Sequence, residues 1–316
     1  MKNQTVDVVI PVYHPGESFG KLLDMLGKQT RTPSKIILMI TENGEKVHPE
    51  YDAVPRLEYH SVRPEAYDHG GTRTSGAAFG SSGYILFMTE DAVPEGETFI
   101  ERLLSGFEDP GVAAVYARQL PRENAGPIER FTRGFNYPAE SRTKRKEDLE
   151  TFGIKTFFCS NVSAMYDRAC FESLGGFFSP TIFNEDMLFA HKLIMSGHAV
   201  RYEASARVIH SHAYTGKEQY RRNFDLAVSQ ADHPEVFASV SSEGEGMKLV
   251  KSTAKYLLKS GNFYRLPQLI YESGMKYLGY RKGLRYRSLS PEQCMKNSTN
   301  KNYWRKFYGT DQSHKV

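Results

Sequence analysis

Three clusters in the chain have the acid or imidazole groups that chemistry needs: Glu90-Asp91, Glu185-Asp186, and His210 with His212. The first pair follows Tyr84 to Met88 in "GYILFMTEDAVP", a stretch that is apolar or aromatic without alternation. Such a run reads as a buried parallel strand, and the proline close behind marks its end. The acids are therefore expected at the carboxyl end of a central strand, where open α/β sheets bind their ligands. Glu185 and Asp186 follow Asn184, which suits an N-cap, and fall in the first turn of a helix ended by Ser196-Gly197. His210 and His212 in "ARVIHSH" alternate on an expected strand, which turns both rings to one face. Each cluster also has a plainer reading. Acids after a strand cap the next helix, acids in a first turn complement the helix dipole, and histidines near strand ends are often just hydrogen-bonded. Their order along the chain adds weight. An acid and an imidazole brought together can hold Mg2+ or Mn2+, the latter tolerating nitrogen better. The remaining acid is then free to act as a base.

Other sites are absent. No GxGxxG opens the first helix, where "PVYHPGES" stands instead, and neither GxxxxGK[ST] nor GxSxG occurs. A dinucleotide-fold dehydrogenase is weakened, and a P-loop enzyme or a serine-elbow hydrolase is disfavoured. "GGTRTSG" is rich in glycine, but close packing of a helix on a sheet explains it as well as phosphate binding does.

The positioning elements follow from the pattern. "VDVVIPVY", "KIILMITENG", "RLEYHSV", "GYILFMTED" and "GVAAVYARQ" read as strands; "ESFGKLLDMLGKQ", "GGTRTSGAAFGSS" and "GETFIERLLSGF" read as helices between them. Strands alternating with helices imply an α/β fold, a three-layer sandwich with a mostly parallel central sheet. From Pro121 to Lys155 the pattern breaks into a polar, basic stretch, read as a solvated surface loop or a functional lid. "RTKRK" within it also admits a nucleic-acid patch. "HAVRYEASARVIHSH" gives an edge strand and one more strand. Beyond about Tyr214 the chain is helical and basic, with fourteen Lys/Arg between Lys248 and Lys306 against only Glu272 and Glu292.

Bulk numbers are ordinary for a soluble globular chain. The 316 residues, 40% hydrophobic and 25% charged, suffice for about two domains, or one large domain plus an appendage. A net charge of +4 does not demand nucleic acid as a partner. Three widely spaced cysteines offer no disulfide framework and suit a reducing cytoplasm. The apolar core of the N-terminus, Val8 to Val12, is too short for a signal peptide, and no run approaches the roughly 18 apolar residues of a membrane span.

"VDVVIPVYH", the strand-end acids, "LGGFFSPTIFNEDMLFAHKLIMSGH" and the late histidine together resemble family 2 glycosyltransferases of the GT-A fold, over roughly residues 5 to 225. "HGGTRTSGAAF", "TEDAVP", "FFCSNVSAMY" and "YRRNFD" are similar to bacterial rhamnosyltransferases that use dTDP-L-rhamnose. The resemblance implies a catalytic domain at 1–225 and a basic, mostly helical region at 226–316. It implies Asp186 as catalytic base with Glu185 beside it. Pro11, Tyr13, Glu42, Asp68, Arg73, Glu90 and Asp91 would bind the donor, and Asn161, His212 and Arg222 the acceptor. Asp91 and His210 would hold the metal, with Glu90 toward the donor ribose. Thr89 departs from the family's DxD, replacing its first Asp. The implied reaction is inverting transfer of L-rhamnose to a lipid-linked glycan or surface-polysaccharide precursor at the inner face of the membrane. The basic aromatic tail would meet that anionic surface. A family 2 enzyme using UDP-glucose or UDP-galactose, and a non-catalytic nucleotide-sugar-binding protein on the same fold, are the alternatives.

Overall fold

The computed structural model describes residues 4–41, 51, 54–237 and 243–311. In chain order the elements are β1 (Val6–Val12), α1 (Glu17–Gly27), β2 (Lys35–Thr41), β3 (Leu57–Val62), α2 (His69–Ala77), β4 (Tyr84–Met88), β5 (Val93–Pro94), α3 (Phe99–Ser105) and β6 (Val112–Leu120). There follow α4 (Pro127–Asn136), β7 (Arg142–Lys144), α5 (Leu149–Phe152), β8 (Ser163–Asp167), α6 (Arg168–Ser173), α7 (Glu185–Met195) and β9 (Ala199–Ile209). The last elements are helices: α8 (Gly216–Asp232), α9 (Pro234–Phe237), α10 (Glu243–Lys259), α11 (Leu266–Gly283), α12 (Pro291–Asn297) and α13 (Lys301–Asp311). The chain divides into two compact units, one of residues 1–122, 136–179 and 185–211, the other of 123–135, 180–184 and 212–316.

The first unit is built on a nine-stranded sheet in the order β3-β2-β1-β4-β8-β6-β9-β5, with β7 also on β9. The β3-β2-β1-β4 half is parallel. Beyond it β8 runs antiparallel to both β4 and β6, and β6 is parallel to β9. Continuous apolar strands make this possible: all five residues of β4 are buried, as its unbroken run predicts. The helical spacing of Phe19, Leu22, Leu23 and Leu26 puts all four in the core beside Val8, Ile10, Leu86 and Met88. Each such side chain stabilises by roughly 1.5–3 kcal/mol. The opposite face of β1 carries a buried acid. Asp7 of β1 pairs with Arg168 at 2.9 Å and accepts from the Ser82 N–H and hydroxyl, so its burial leaves no charge uncompensated.

Three sequence expectations need correcting. Residues 121–155 are not a plain loop, since they contain α4, β7 and α5. Nor is "RTKRK" a free basic patch: β7 pairs antiparallel with β9, Lys144 is buried, Arg142 stacks on Phe152, and Arg145 pairs with Asp109 at 2.7 Å. "HAVRYEASARVI" is a single interior strand. Its register against β6 shifts between Ala117 and Arg118, and the polar Glu203 to Ser205 stretch at that irregularity makes one strand read as two.

The second unit is helical, built on α8 packed against α11. α11 approaches α8 so closely that a Cβ at Gly279 or Gly283 would strike the carbonyl oxygens of Tyr220 and Phe224. Phe224 and Val228 of α8, Tyr286, Cys294 of α12 and Tyr303 and Trp304 of α13 close its core. The boundary implied near residue 225 falls inside α8, which is one uninterrupted helix.

Candidate active site

Because β1 and β4 are adjacent and parallel, their carboxyl ends bring the segments after Val12 and Met88 together. The backbone N–H of Tyr13 donates to Glu90 Oε2 at 2.7 Å. Burial pushes the Glu90 carboxyl up to about 7, with Asp91 adding to the rise and the Tyr13 N–H opposing it. Pro11 lies within β1 opposite Met39 of β2. Glu42 lies outside the described residues.

Asp91 meets His210, with Oδ1 and Nε2 3.5 Å apart. β9 ends at Ile209, so His210 and His212 follow the strand and do not alternate along it as the sequence suggested. His210 is buried, and its Nδ1 lies 3.0 Å from Gln119 Oε1. The Gln119 amide donates to the Tyr137 hydroxyl at 2.6 Å and Ser160 Oγ at 3.0 Å, which leaves Oε1 as the acceptor for an Nδ1 proton. The lone pair of Nε2 then faces Asp91. A carboxylate beside an imidazole whose other nitrogen is anchored is the donor set a divalent ion takes. The Thr89 hydroxyl, in place of the family's first Asp, is buried without a hydrogen-bond partner.

The second acid pair opens α7, just after Asn184, whose φ of 63° is in the left-handed region that asparagine tolerates. Its two members are treated differently. Glu185 is buried, 3.2 Å from Arg73, and accepts from the Asn161 amide at 3.3 Å. Burial opposes its charge, but Arg73, His69 and Asn161 outweigh that and hold its carboxyl below the usual range. Asp186 is held by backbone groups, with Arg73 only a minor influence on its charge. It accepts from the Asn161 N–H at 3.0 Å and the Met187 N–H at 2.8 Å. Burial and then the neighbouring Glu185 charge raise it to about 7. Two adjacent carboxyls pushed in opposite directions leave Glu185 the more readily ionised and Asp186 the more readily protonated.

Several residues implied as donor or acceptor contacts are also tied internally. The Arg73 guanidinium is buried and also donates to the His69 carbonyl. Asp68 caps α2, accepting from the Gly70 and Gly71 N–H groups and the Ser179 hydroxyl. Both ends of the buried Asn161 amide are engaged, since its oxygen accepts from Tyr166 at 2.8 Å. His212 and Arg222 belong to the second unit, where the His212 ring stacks on Tyr214 and Arg222 lies 4.6 Å over the same Tyr214 ring.

Sequence reasoning passed over two residues here. Tyr67 is raised to about 12 by burial, with Arg73 opposing and Glu185, Glu90 and Asp68 adding, so one hydroxyl senses both acid pairs. Its only signal was an aromatic before the capping Asp in "AYDHGG". Gln119 left a clearer one: an amide in "GVAAVYARQL", a strand otherwise largely buried.

A mixed sheet with acids at its carboxyl edge, and a second acid pair opening a later helix, is the arrangement of a GT-A glycosyltransferase. Solved glycosyltransferases share the fold. TarS 1–349 of S. aureus has a TM-score of 0.52 at 13% identity, covering 90% of this chain and 91% of that one. The Pyrobaculum calidifontis mannosyltransferase PcManGT, solved with GDP-Man and Mn2+, has a TM-score of 0.54 at 14% identity, covering 100% and 90%. The chain belongs to glycosyl transferase family 2, whose model matches residues 7–175. It is 36% identical to the O-antigen chain rhamnosyltransferase RfbN of Salmonella typhimurium (strain LT2), over 95% of this chain and 96% of that protein. It is also 36% identical to the O-antigen chain rhamnosyltransferase WbaN of Salmonella anatum, over 94% and 95%.

Proposed function

We propose that this glycosyltransferase moves L-rhamnose from dTDP-L-rhamnose to a hydroxyl of a lipid-linked glycan, a surface-polysaccharide precursor, with inversion at the anomeric carbon. The likeness to two O-antigen chain rhamnosyltransferases along nearly the whole chain carries this reading. The enzyme would work in the cytoplasm, peripheral on the inner face of the membrane. Among the described residues no helix is long and apolar enough to cross a membrane.

In this reading Asp186 takes the proton of the acceptor hydroxyl as that oxygen attacks the anomeric carbon and the bond to the diphosphate breaks. A carboxyl near 7 suits that task. Glu185 stays charged and keeps Asp186 raised, while Arg73 and Asn161 fix both carboxyls and act as positioning residues. Glu90, anchored by the Tyr13 N–H, would accept a donor hydroxyl. Asp91 and His210 would hold Mg2+ or Mn2+, which supplies positive charge to the departing diphosphate. No covalent sugar–enzyme intermediate is needed.

The test is a thermal-shift series with purified protein, Mn2+ or Mg2+ and dTDP-L-rhamnose, UDP-glucose or UDP-galactose. A ligand that binds only the folded state raises the melting point by mass action, so dTDP-L-rhamnose is expected to give the largest shift. Equal shifts, or a preference for a UDP-sugar, would reject the rhamnose assignment and leave glycosyl transfer standing.

A further inference from the structure

α11 carries large apolar side chains on the side turned away from its packing face. At 3.6 residues per turn, Leu269, Gly279 and Gly283 share one face, and these are its buried positions. Ile270, Tyr277 and Leu278 lie on the opposite side and are 70%, 56% and 57% exposed. The turn before α11 adds Phe263 and Tyr264, each 62% exposed. Large apolar side chains left exposed together on one side of a helix mark an interaction surface.

Charge selects what covers it. On α10, Lys248, Lys251, Lys255 and Lys259 recur at intervals of three and four and make one exposed stripe. Met247 and Leu258, 56% and 60% exposed, flank that stripe. A basic amphipathic helix followed by exposed aromatic and aliphatic side chains fits the interface of an anionic bilayer. A second copy of the chain would set like charge against like charge, at a cost to binding.

We propose that the outer face of α11, the Phe263-Tyr264 turn and the lysine stripe of α10 form a docking surface for anionic lipid. This deepens the reading above, since it rests on an acceptor carried by a lipid. Aromatic and aliphatic side chains enter the headgroup layer, and the lysine ammonium groups meet lipid phosphates.

The experiment is co-sedimentation of the full-length protein with phosphatidylcholine vesicles with and without phosphatidylglycerol, at low and high salt. Binding is expected only to the anionic vesicles and only at low salt. Replacing the four lysines by glutamine should weaken partition by something on the order of fivefold for each one that reaches the surface. Ile270→Ser with Leu278→Ser should weaken it further, and both variants should keep the wild-type melting point. Donor-dependent transfer to a lipid-free acceptor should be unchanged in both, which separates failure of this surface from failure of the enzymatic reading. No vesicle binding by the wild type, or equal binding by the variants, would overturn the proposal. A wild-type dimer in light scattering that Ile270→Ser/Leu278→Ser converts to monomer would also overturn it, by naming a second copy as the cover.

Discussion

At the scale of single residues, the Glu185-Asp186 pair shows how a fold separates two chemically similar groups. One carboxyl is given Arg73 at 3.2 Å and the Asn161 amide; the other is given backbone N–H groups and a charged neighbour, with Arg73 acting on it more weakly. Asp186→Asn keeps the shape and the helix start but removes the basic oxygen. Transfer is expected to fall on the order of 10²–10⁴-fold, with dTDP-sugar binding near wild type. In the wild type, kcat/KM should rise with pH through about 7, because the base works only after losing its proton. Glu185→Gln removes the neighbouring charge that raises Asp186, so the same limb should move to lower pH. Near-wild-type transfer by a folded Asp186→Asn enzyme would remove this residue from the mechanism. The acids themselves were visible in sequence, because carboxylates after an apolar run and before a helical one are conspicuous. The ties were not. That Asn161 is held by Tyr166 and Glu185, or that Gln119 fixes the His210 tautomer, depends on side-chain contacts between segments that no periodicity relates.

At the scale of elements, apolar patterning made β1 to β4 and β6 legible, and it failed at the two-residue β5 and where a polar segment is built into the sheet. β7 is Arg142-Thr143-Lys144, a composition that reads as surface, yet it pairs with β9 and buries Lys144. The Lys144 ammonium donates to the Tyr116 hydroxyl and the Lys155 and Phe158 carbonyls and sits 4.8 Å over the Tyr116 ring. Burial lowers its pKa from 10.5 to about 7. The unfolded chain therefore binds one more proton than the folded one between those values, and stability should rise with pH there, by at most about 1.4 kcal/mol per pH unit. Urea midpoints measured between pH 7.5 and 8.5 check this, a window below the range in which Cys159, raised to about 12, begins to oppose it. Lys144→Met should flatten that slope. It should also cost about 1–3 kcal/mol, because the buried Tyr116 hydroxyl and the partly buried Phe158 carbonyl lose a donor. An unchanged slope would mean that Lys144 keeps its proton in the folded protein.

At the scale of the whole molecule, the basic tail was legible as charge and aromatic content but not as architecture. Its lysines and tyrosines suggested a surface, and part of it is a core: Tyr286, Tyr303 and Trp304 close over Phe224 and Val228 of α8. A truncation after residue 241 would therefore strip the cover from α8 and would test folding before it tested any binding. A point substitution is more informative, because Trp304 is the chain's only tryptophan and is fully buried in the second unit. Its fluorescence reports that unit alone. Phe224, also fully buried, lies 6.2 Å from the Trp304 ring between centroids. Phe224→Ala leaves a cavity there and is expected to cost about 3–5 kcal/mol. The urea midpoint seen by Trp304 emission should fall accordingly, and the emission should shift to the red before the main transition if water enters the cavity. A midpoint that stays at the wild-type value would mean that α8 and the tail do not share a packed core.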